Sequence, residues 1–185
     1  MRVIAGAFKG RRLKSPDWDG LRPTSDKLRE TLFNVLAPRI AGARVLDGYA
    51  GTGAVGIEAL SRGAASVAFV DRDRRAQRLI DANLSMVMPD AAAKGCAIIR
   101  PSFDRLGPFD PSDRCDPFDI VLLDPPYDVP PDDALTRAAP LLAPGGVLVL
   151  EHAKRRAAPE SAAGLARIRQ IVSGDSVLSF YSCPP

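Results

Sequence analysis

A chain of 185 residues with 46% hydrophobic side chains can bury one domain with an appendage, and it holds no apolar run long enough to cross a bilayer. Its three scattered cysteines, Cys96, Cys115 and Cys183, read as structural thiols, and its lone histidine, His152, comes without a G-x-S-x-G elbow, so metal centres and hydrolase triads fall away. The net charge of +3 is uneven: residues 1 to 29 carry eight bases (Arg2, Lys9, Arg11, Arg12, Lys14, Arg22, Lys27, Arg29) against Asp17, Asp19 and Asp26, a net +5 that leaves −2 for the remainder. Such asymmetry suits an arm that contacts nucleic-acid phosphates, and equally a solvated tail. Val3-Ile4-Ala5 is far shorter than the apolar core of a secretory signal, so residence in the cytoplasm is expected.

In chain order, Arg2 to Leu13 reads as two short strands around Gly6 and Gly10, a basic hairpin. Thr24 or Ser25 can cap a helix whose Leu28, Leu32, Val35 and Leu36 share a face, with Pro38 ending it and with Lys27 and Arg29 off that face for solvent or phosphate. From Arg44 short apolar runs alternate with helical segments, the pattern of βαβ units around a mostly parallel sheet. The strands are Val45-Leu46, Val67 to Val70, Ala97 to Ile99, Ile120 to Leu123 and Val147 to Leu150. Helices are expected over Ala54 to Ser61, Arg74 to about Met86, and Asp133 to Leu142. Ile168 to Val172 and Val177 to Tyr181 flank Ser173-Gly174-Asp175 as a C-terminal antiparallel hairpin, which suits a class of methyltransferases better than a plain dinucleotide fold. The expected division is a basic extension over residues 1–40 that contacts RNA and a catalytic domain over 41–185.

Two motifs carry chemistry. The first, Asp47-Gly48-Tyr49-Ala50-Gly51-Thr52-Gly53, follows a strand and opens a helix, so its glycines let backbone approach a ligand and its N–H groups face an anion. Gly51-x-Gly53-x-x-Gly56 also fits a dinucleotide fingerprint, with Asp71 at the next strand end placed for a ribose. Asp47 tips the reading towards S-adenosylmethionine, whose methionine end bears an ammonium that a nicotinamide dinucleotide lacks. Ser102, Phe103 and Asp104, after the third strand, are candidates for adenine: Phe103 by apolar contact, Asp104 by accepting from the amino group.

The second motif, Asp124-Pro125-Pro126-Tyr127, ends the fourth strand at the sheet's carboxyl edge, where open α/β folds bind ligands. The lone pair of an exocyclic base nitrogen is delocalised into the ring, so methylating it requires alignment and tetrahedral character. Asp124 can accept an N–H hydrogen bond, the first proline's carbonyl can accept a second, and Tyr127 can stack on a flipped or single-stranded base. The methyl donor is already activated, so no metal is required. Lys154-Arg155-Arg156, after the fifth strand, can contact phosphates beside the target or form a solvated loop.

With Arg2-Val3-Ile4-Ala5-Gly6, Lys9-Gly10-Arg11, Arg22-Pro23-Thr24, Arg29-Glu30, the Asp47 to Gly56 loop, Glu58-Ala59-Leu60-Ser61-Arg62-Gly63-Ala64 and Asp124 to Tyr127 together, the chain resembles the bacterial 16S rRNA guanine-N2 methyltransferase D family (RsmD) over nearly its whole length. Gly48, Tyr49 and Thr52 replace residues of that family's common Asp-Leu-Phe-Ala-Gly-Ser-Gly, and Asp71 stands for its frequent Glu. The resemblance implies a Rossmann-like class I methyltransferase fold with S-adenosylmethionine as donor and S-adenosylhomocysteine as product. It further implies N2-methylation of guanine 966, in standard rRNA numbering, within an assembled or assembling small subunit, by a monomer. On that reading Arg2, Lys9, Arg11, Arg12, Arg22, Lys27, Arg29, Lys154, Arg155 and Arg156 contact RNA. The competing readings are an adenine-N6 methyltransferase of DNA or RNA, a protein-glutamine methyltransferase, which usually carries Asn before Pro-Pro, and a non-catalytic RNA-binding module.

Overall fold

The structure, a computed structural model, describes residues 1–18, 24–89, 95–99, 103 and 117–183. The chain divides into two compact units, Met1–Phe103 and Asp104–Pro185.

In the first unit α1 spans Asp26–Ile40, and the Ser25 hydroxyl caps it by accepting from the Leu28 N–H at 3.2 Å. Pro38 lies inside α1 rather than ending it. Its missing N–H removes one ladder bond, but the final turn carries Ile40 into the core at 4% exposure. Strand β1 (Arg44–Gly48), α2 (Ala54–Ser61), β2 (Ser66–Val70), α3 (Arg74–Val87) and β3 (Cys96–Ile99) follow as two βαβ units, with strand order β3-β2-β1, all parallel. Gly48 pairs opposite Val70, so the turn after β1 and Asp71 after β2 leave the sheet on one rim. Gly56 lets α2 lie close on β2: a Cβ there would stand 2.3 Å from Phe69 Cε1. The apolar stripe of α3, Ala76, Leu79, Ile80, Leu84 and Val87, recurs every three or four residues and is buried.

The N-terminal hairpin is only partly a ladder. A single antiparallel bridge joins Arg2 to Arg12, Val3 exchanges backbone bonds with Arg11 and Gly10, and the N–H groups of Ile4, Ala5, Ala7 and Phe8 turn to α2 for their partners. Glu58 accepts from the Ile4 and Ala5 N–H groups at 2.8 and 3.0 Å, and Ser61 Oγ accepts from Phe8 N–H at 2.9 Å. Gly6, at φ 84°, makes the approach possible, since a Cβ would fall 1.8 Å from the Ser61 carbonyl oxygen.

In the second unit β4 (Phe118–Leu123), α4 (Pro131–Ala138), a 3-10 turn at Ala139–Leu141, β5 (Leu142–Ala153), β6 (Ser161–Ala162), β7 (Leu165–Ser173) and β8 (Ser176–Ser182) run in the order β4-β5-β8-β7-β6. β4 and β5 are parallel; β8 is antiparallel to both β5 and β7. Helix α4 starts two residues before the sequence suggests, because Pro131 occupies a first-turn position whose N–H a helix leaves unbonded anyway. Pro140 then tightens its end into the 3-10 turn. β5 begins five residues before Val147, since Leu142 already pairs with Phe118 ahead of a register shift. The core of this unit includes Ile120, Val121, Leu148, Leu150, Leu178, Phe180 and Tyr181, each at most 1% exposed.

Candidate active site

In the first unit the glycine loop is held by its two acids. Tyr49, Gly51 and Gly53 all take positive φ, at 68°, 55° and 74°, and wind the turn tightly from β1 into α2. Tyr49, which is not a glycine, holds its strained conformation beside Phe103, ring centroids 5.0 Å apart. Asp71 Oδ2 accepts from the Gly51 N–H and Oδ1 from the Asp73 N–H, both at 2.8 Å. Asp47 Oδ2 accepts from the Gly56 N–H at 2.9 Å. Burial to 5% exposure drives the Asp47 carboxyl up to about 7, opposed by that hydrogen bond and reinforced by the Asp71 charge. Asp71 is also pushed upward, chiefly by burial, with its two backbone hydrogen bonds pulling the other way.

A cation brought to Asp47 reverses the cost of ionising it, so the ammonium of an amino-acid cofactor fits the position electrostatically. Asp71 keeps acceptor capacity beyond its two backbone donors, as a ribose diol requires. Phe103 is 2% exposed and packs on Tyr49; its expected neighbours in an adenine site, Ser102 and Asp104, lie outside the described residues. Gly56, the third fingerprint glycine, serves helix–strand packing.

Asn83, on the buried side of α3, ties the loop to the N-terminal segment. Its Nδ2 donates to the Thr52 carbonyl at 3.0 Å and to the Lys14 carbonyl at 3.2 Å, and its Oδ1 accepts from the Lys14 N–H at 2.7 Å. Glu58 does the same for Ile4 and Ala5 while pairing with Arg62 at 2.8 Å. The available signal for both was a polar side chain at a position that helical spacing assigns to the buried face.

The basic residues separate into two groups. Arg2, Lys9, Arg11, Arg12 and Lys27 are exposed, and the bridge sets Arg2 beside Arg12. Arg11 is drawn back, its guanidinium over the Phe8 ring at 5.4 Å and donating to the Val87 carbonyl at 2.6 Å. Arg29 corrects the sequence reading: it is fully buried, not free for phosphate, and donates to the Arg2 carbonyl at 2.6 Å and to Asp26 at 2.9 Å. Its position, four residues before Phe33 and one after Leu28, lies within the buried face once α1 packs. Arg22 lies outside the described residues.

In the second unit Asp124-Pro125-Pro126-Tyr127 emerges from the end of β4. Asp124 and Tyr127 are exposed, Tyr127 at 64%. The Val129 N–H donates to the Pro126 carbonyl at 3.0 Å and closes a turn, so the motif engages Pro126's carbonyl and not Pro125's in that turn. The Arg155 guanidinium lies 5.9 Å from the Tyr127 ring centroid. His152 belongs to the core: its Nε2 is 2.9 Å from Ser179 Oγ, and Ser179 is fully buried.

Known proteins are similar to this chain in sequence and in fold. YlbH of Bacillus subtilis, provisionally named an rRNA methyltransferase, is 35% identical over 184 residues, covering 98% of each chain. The Escherichia coli ribosomal RNA small subunit methyltransferase D is 40% identical over 127 residues, 69% of this chain and 60% of that protein. Among solved structures, the E. coli protein yhhF superposes with a TM-score of 0.80 at 30% identity, covering 98% of this chain and 96% of that one. A methyltransferase structure complexed with S-adenosylhomocysteine, SMU.776, shares the fold alone, at TM-score 0.64 and 15% identity over 83% of this chain and 49% of that one. The fold is the Rossmann-like α/β fold of class I S-adenosylmethionine-dependent methyltransferases. Residues 1–182 match the family model described as conserved hypothetical protein 95, and the chain belongs to that family, the one that holds the small-subunit rRNA methyltransferase D enzymes.

Proposed function

We propose that the chain transfers a methyl group from S-adenosylmethionine to the exocyclic N2 of one guanine in small-subunit rRNA, guanine 966 in standard numbering, within an assembled or assembling subunit. The observation that carries this reading is the Asp124 to Tyr127 motif, exposed at the end of β4 with its second carbonyl already engaged in a turn. The names of the 35% and 40% identical relatives support rRNA as the substrate.

The cofactor, when bound, supplies a methyl on a cationic sulfonium, and the chain's residues position what receives it. Asp47 would take the cofactor's ammonium and Asp71 its ribose hydroxyls, while the N–H groups of Ala50, Gly51 and Gly53 hold the turn itself, donating to the Val70 carbonyl, the Asp71 carboxylate and the Ala50 carbonyl. Asp124 and the Pro125 carbonyl accept from the target amino group, drawing its lone pair out of the ring, and Tyr127 stacks on the base. Such orientation accounts for roughly 7 to 11 kcal/mol of barrier in well-aligned reactions. The exposed bases of the 1–40 extension, Arg2, Lys9, Arg12 and Lys27, contact phosphates.

The test is transfer of labelled methyl from S-adenosylmethionine to small subunits lacking the modification, to naked rRNA and to DNA, with the methylated nucleoside identified by mass spectrometry. N2-methylguanosine from subunits is the expected product. A methyladenine product would replace the proposal with the adenine-N6 reading.

A further inference from the structure

The three bases after β5 do not share one environment. Lys154 and Arg155 are exposed, whereas Arg156 is half-buried. Arg156 Nη1 donates to the carbonyl of Tyr127 and, at 3.3 Å, to that of Val129. Both protons of that nitrogen are thereby directed at the chain's own backbone.

The frame behind this contact is itself fixed. The Lys154 N–H donates to the Asp175 carbonyl at 2.8 Å in the turn between β7 and β8, and the Arg156 N–H donates to the Ala153 carbonyl at 2.9 Å. On the other side, the Val129 N–H closes onto the Pro126 carbonyl at 3.0 Å. The segment from Pro126 to Val129 is thus pinned by its own turn and by a guanidinium that reaches the carbonyls at two of its positions. Arg155 meanwhile lies against Tyr127's ring.

We propose that Arg156 is a positioning residue of the acceptor motif: it sets the path of the chain through Tyr127, while Arg155 backs one face of the ring and leaves the other for the base. Phosphate contact by this run then falls to Lys154 alone. Both contacts come from the single nitrogen Nη1, so a Lys ammonium, with three donors on one nitrogen but a shorter and less rigid reach, reproduces them only in part. The inference rests on the proposed methyl transfer.

The experiment compares wild type, Arg156→Met, Arg156→Lys and Lys154→Ala in methyl transfer to unmodified small subunits, over a salt series, alongside S-adenosylmethionine binding. Misaligning a reactive group by about 1 Å costs on the order of 100-fold in rate, so Arg156→Met is expected to lose kcat by about that factor. Its KM for subunits, the salt dependence of that KM and its cofactor affinity stay at wild-type values. Arg156→Lys is expected to recover part of kcat, and Lys154→Ala to raise KM for subunits and flatten its salt slope by about 0.7 to 0.9.

A kcat within twofold of wild type for Arg156→Met, or a loss confined to KM with a flatter salt slope, overturns the proposal and returns Arg156 to the phosphate-contacting set. Should Arg156→Met not fold, Arg156→Lys decides on the same readouts. A wild type that methylates none of the offered substrates defeats the functional reading itself. Active wild type with indifferent Arg156 variants defeats only the positioning role.

Discussion

Replacing Asp47 with Asn removes a carboxyl that is 5% exposed and that burial pushes from an ordinary value of 3.8 up to about 7. Because the folded-state value is the higher one, the native chain holds this proton between those two pH values while the unfolded chain releases it. Stability therefore falls as pH rises through that window, at about 1.4 kcal/mol per unit for this one group, and levels off above about pH 7. Integrated, the loss is about 4 kcal/mol for the cofactor-free protein. Asn is nearly isosteric, its side-chain oxygen can still accept from the Gly56 N–H, and it does not titrate. Asp47→Asn is thus expected to match wild type near pH 4 and to exceed it by a few kcal/mol at pH 8. Urea unfolding of both proteins across this range, without cofactor, measures the difference. A stability difference that does not change with pH refutes the reasoning, since burial would then not be raising this carboxyl. If Asp47 holds the cofactor's ammonium as proposed, the same proton competes with it, so wild-type affinity should rise by about tenfold for each pH unit gained up to 7, and the variant should bind weakly without that dependence.

Asp124→Ala is expected to abolish methyl transfer while cofactor affinity, measured by calorimetry, stays within twofold; retained turnover would make the motif a scaffold. Gly56→Ala places a methyl 2.3 Å from Phe69 Cε1 and should cost about 1 to 3 kcal/mol in denaturant unfolding; an unchanged midpoint would show that α2 is free to shift. Glu58→Ala removes the acceptor for the Ile4 and Ala5 N–H groups and should release the N-terminal segment, seen as faster proteolytic cleavage before residue 15 and faster amide exchange at those two positions. Unchanged exchange would mean that Ser61 and Gly6 suffice to hold it.

The order of strands and helices was legible because the apolar runs at Val45, Val67, Ile120 and Val147 are bounded by turn residues, and because α3 carries a clean stripe. The Asp47 loop and the Asp124 motif were legible for a different reason: each packs its chemistry into contiguous residues. What was not legible depends on partners far along the chain. Arg29 reads as a surface base until the Arg2 carbonyl is brought to it, and Glu58 and Asn83 read as interruptions of apolar faces until the N-terminal backbone arrives to use them. Arg156 was grouped with its basic neighbours because charge is visible in a sequence, while the two carbonyls that it holds, 27 and 29 residues earlier, are not.

The insertion of β8 between β5 and β7 bears on how the second unit comes to be made. β5 ends at Ala153, yet the strand that covers its free edge begins only at Ser176, and β7, synthesised in between, touches β5 through β8 and not directly. During synthesis, then, β5 emerges with an unpaired row of N–H and C=O groups, and it stays open until another 29 residues have followed to Ser182. β7 and β8 can zip locally across Gly174 first, so the hairpin docks on β5 as a unit. A ribosome stalled before Ser176 would leave a nascent chain whose exposed edge, rather than its active site, determines its fate: capture by a chaperone or pairing with another strand.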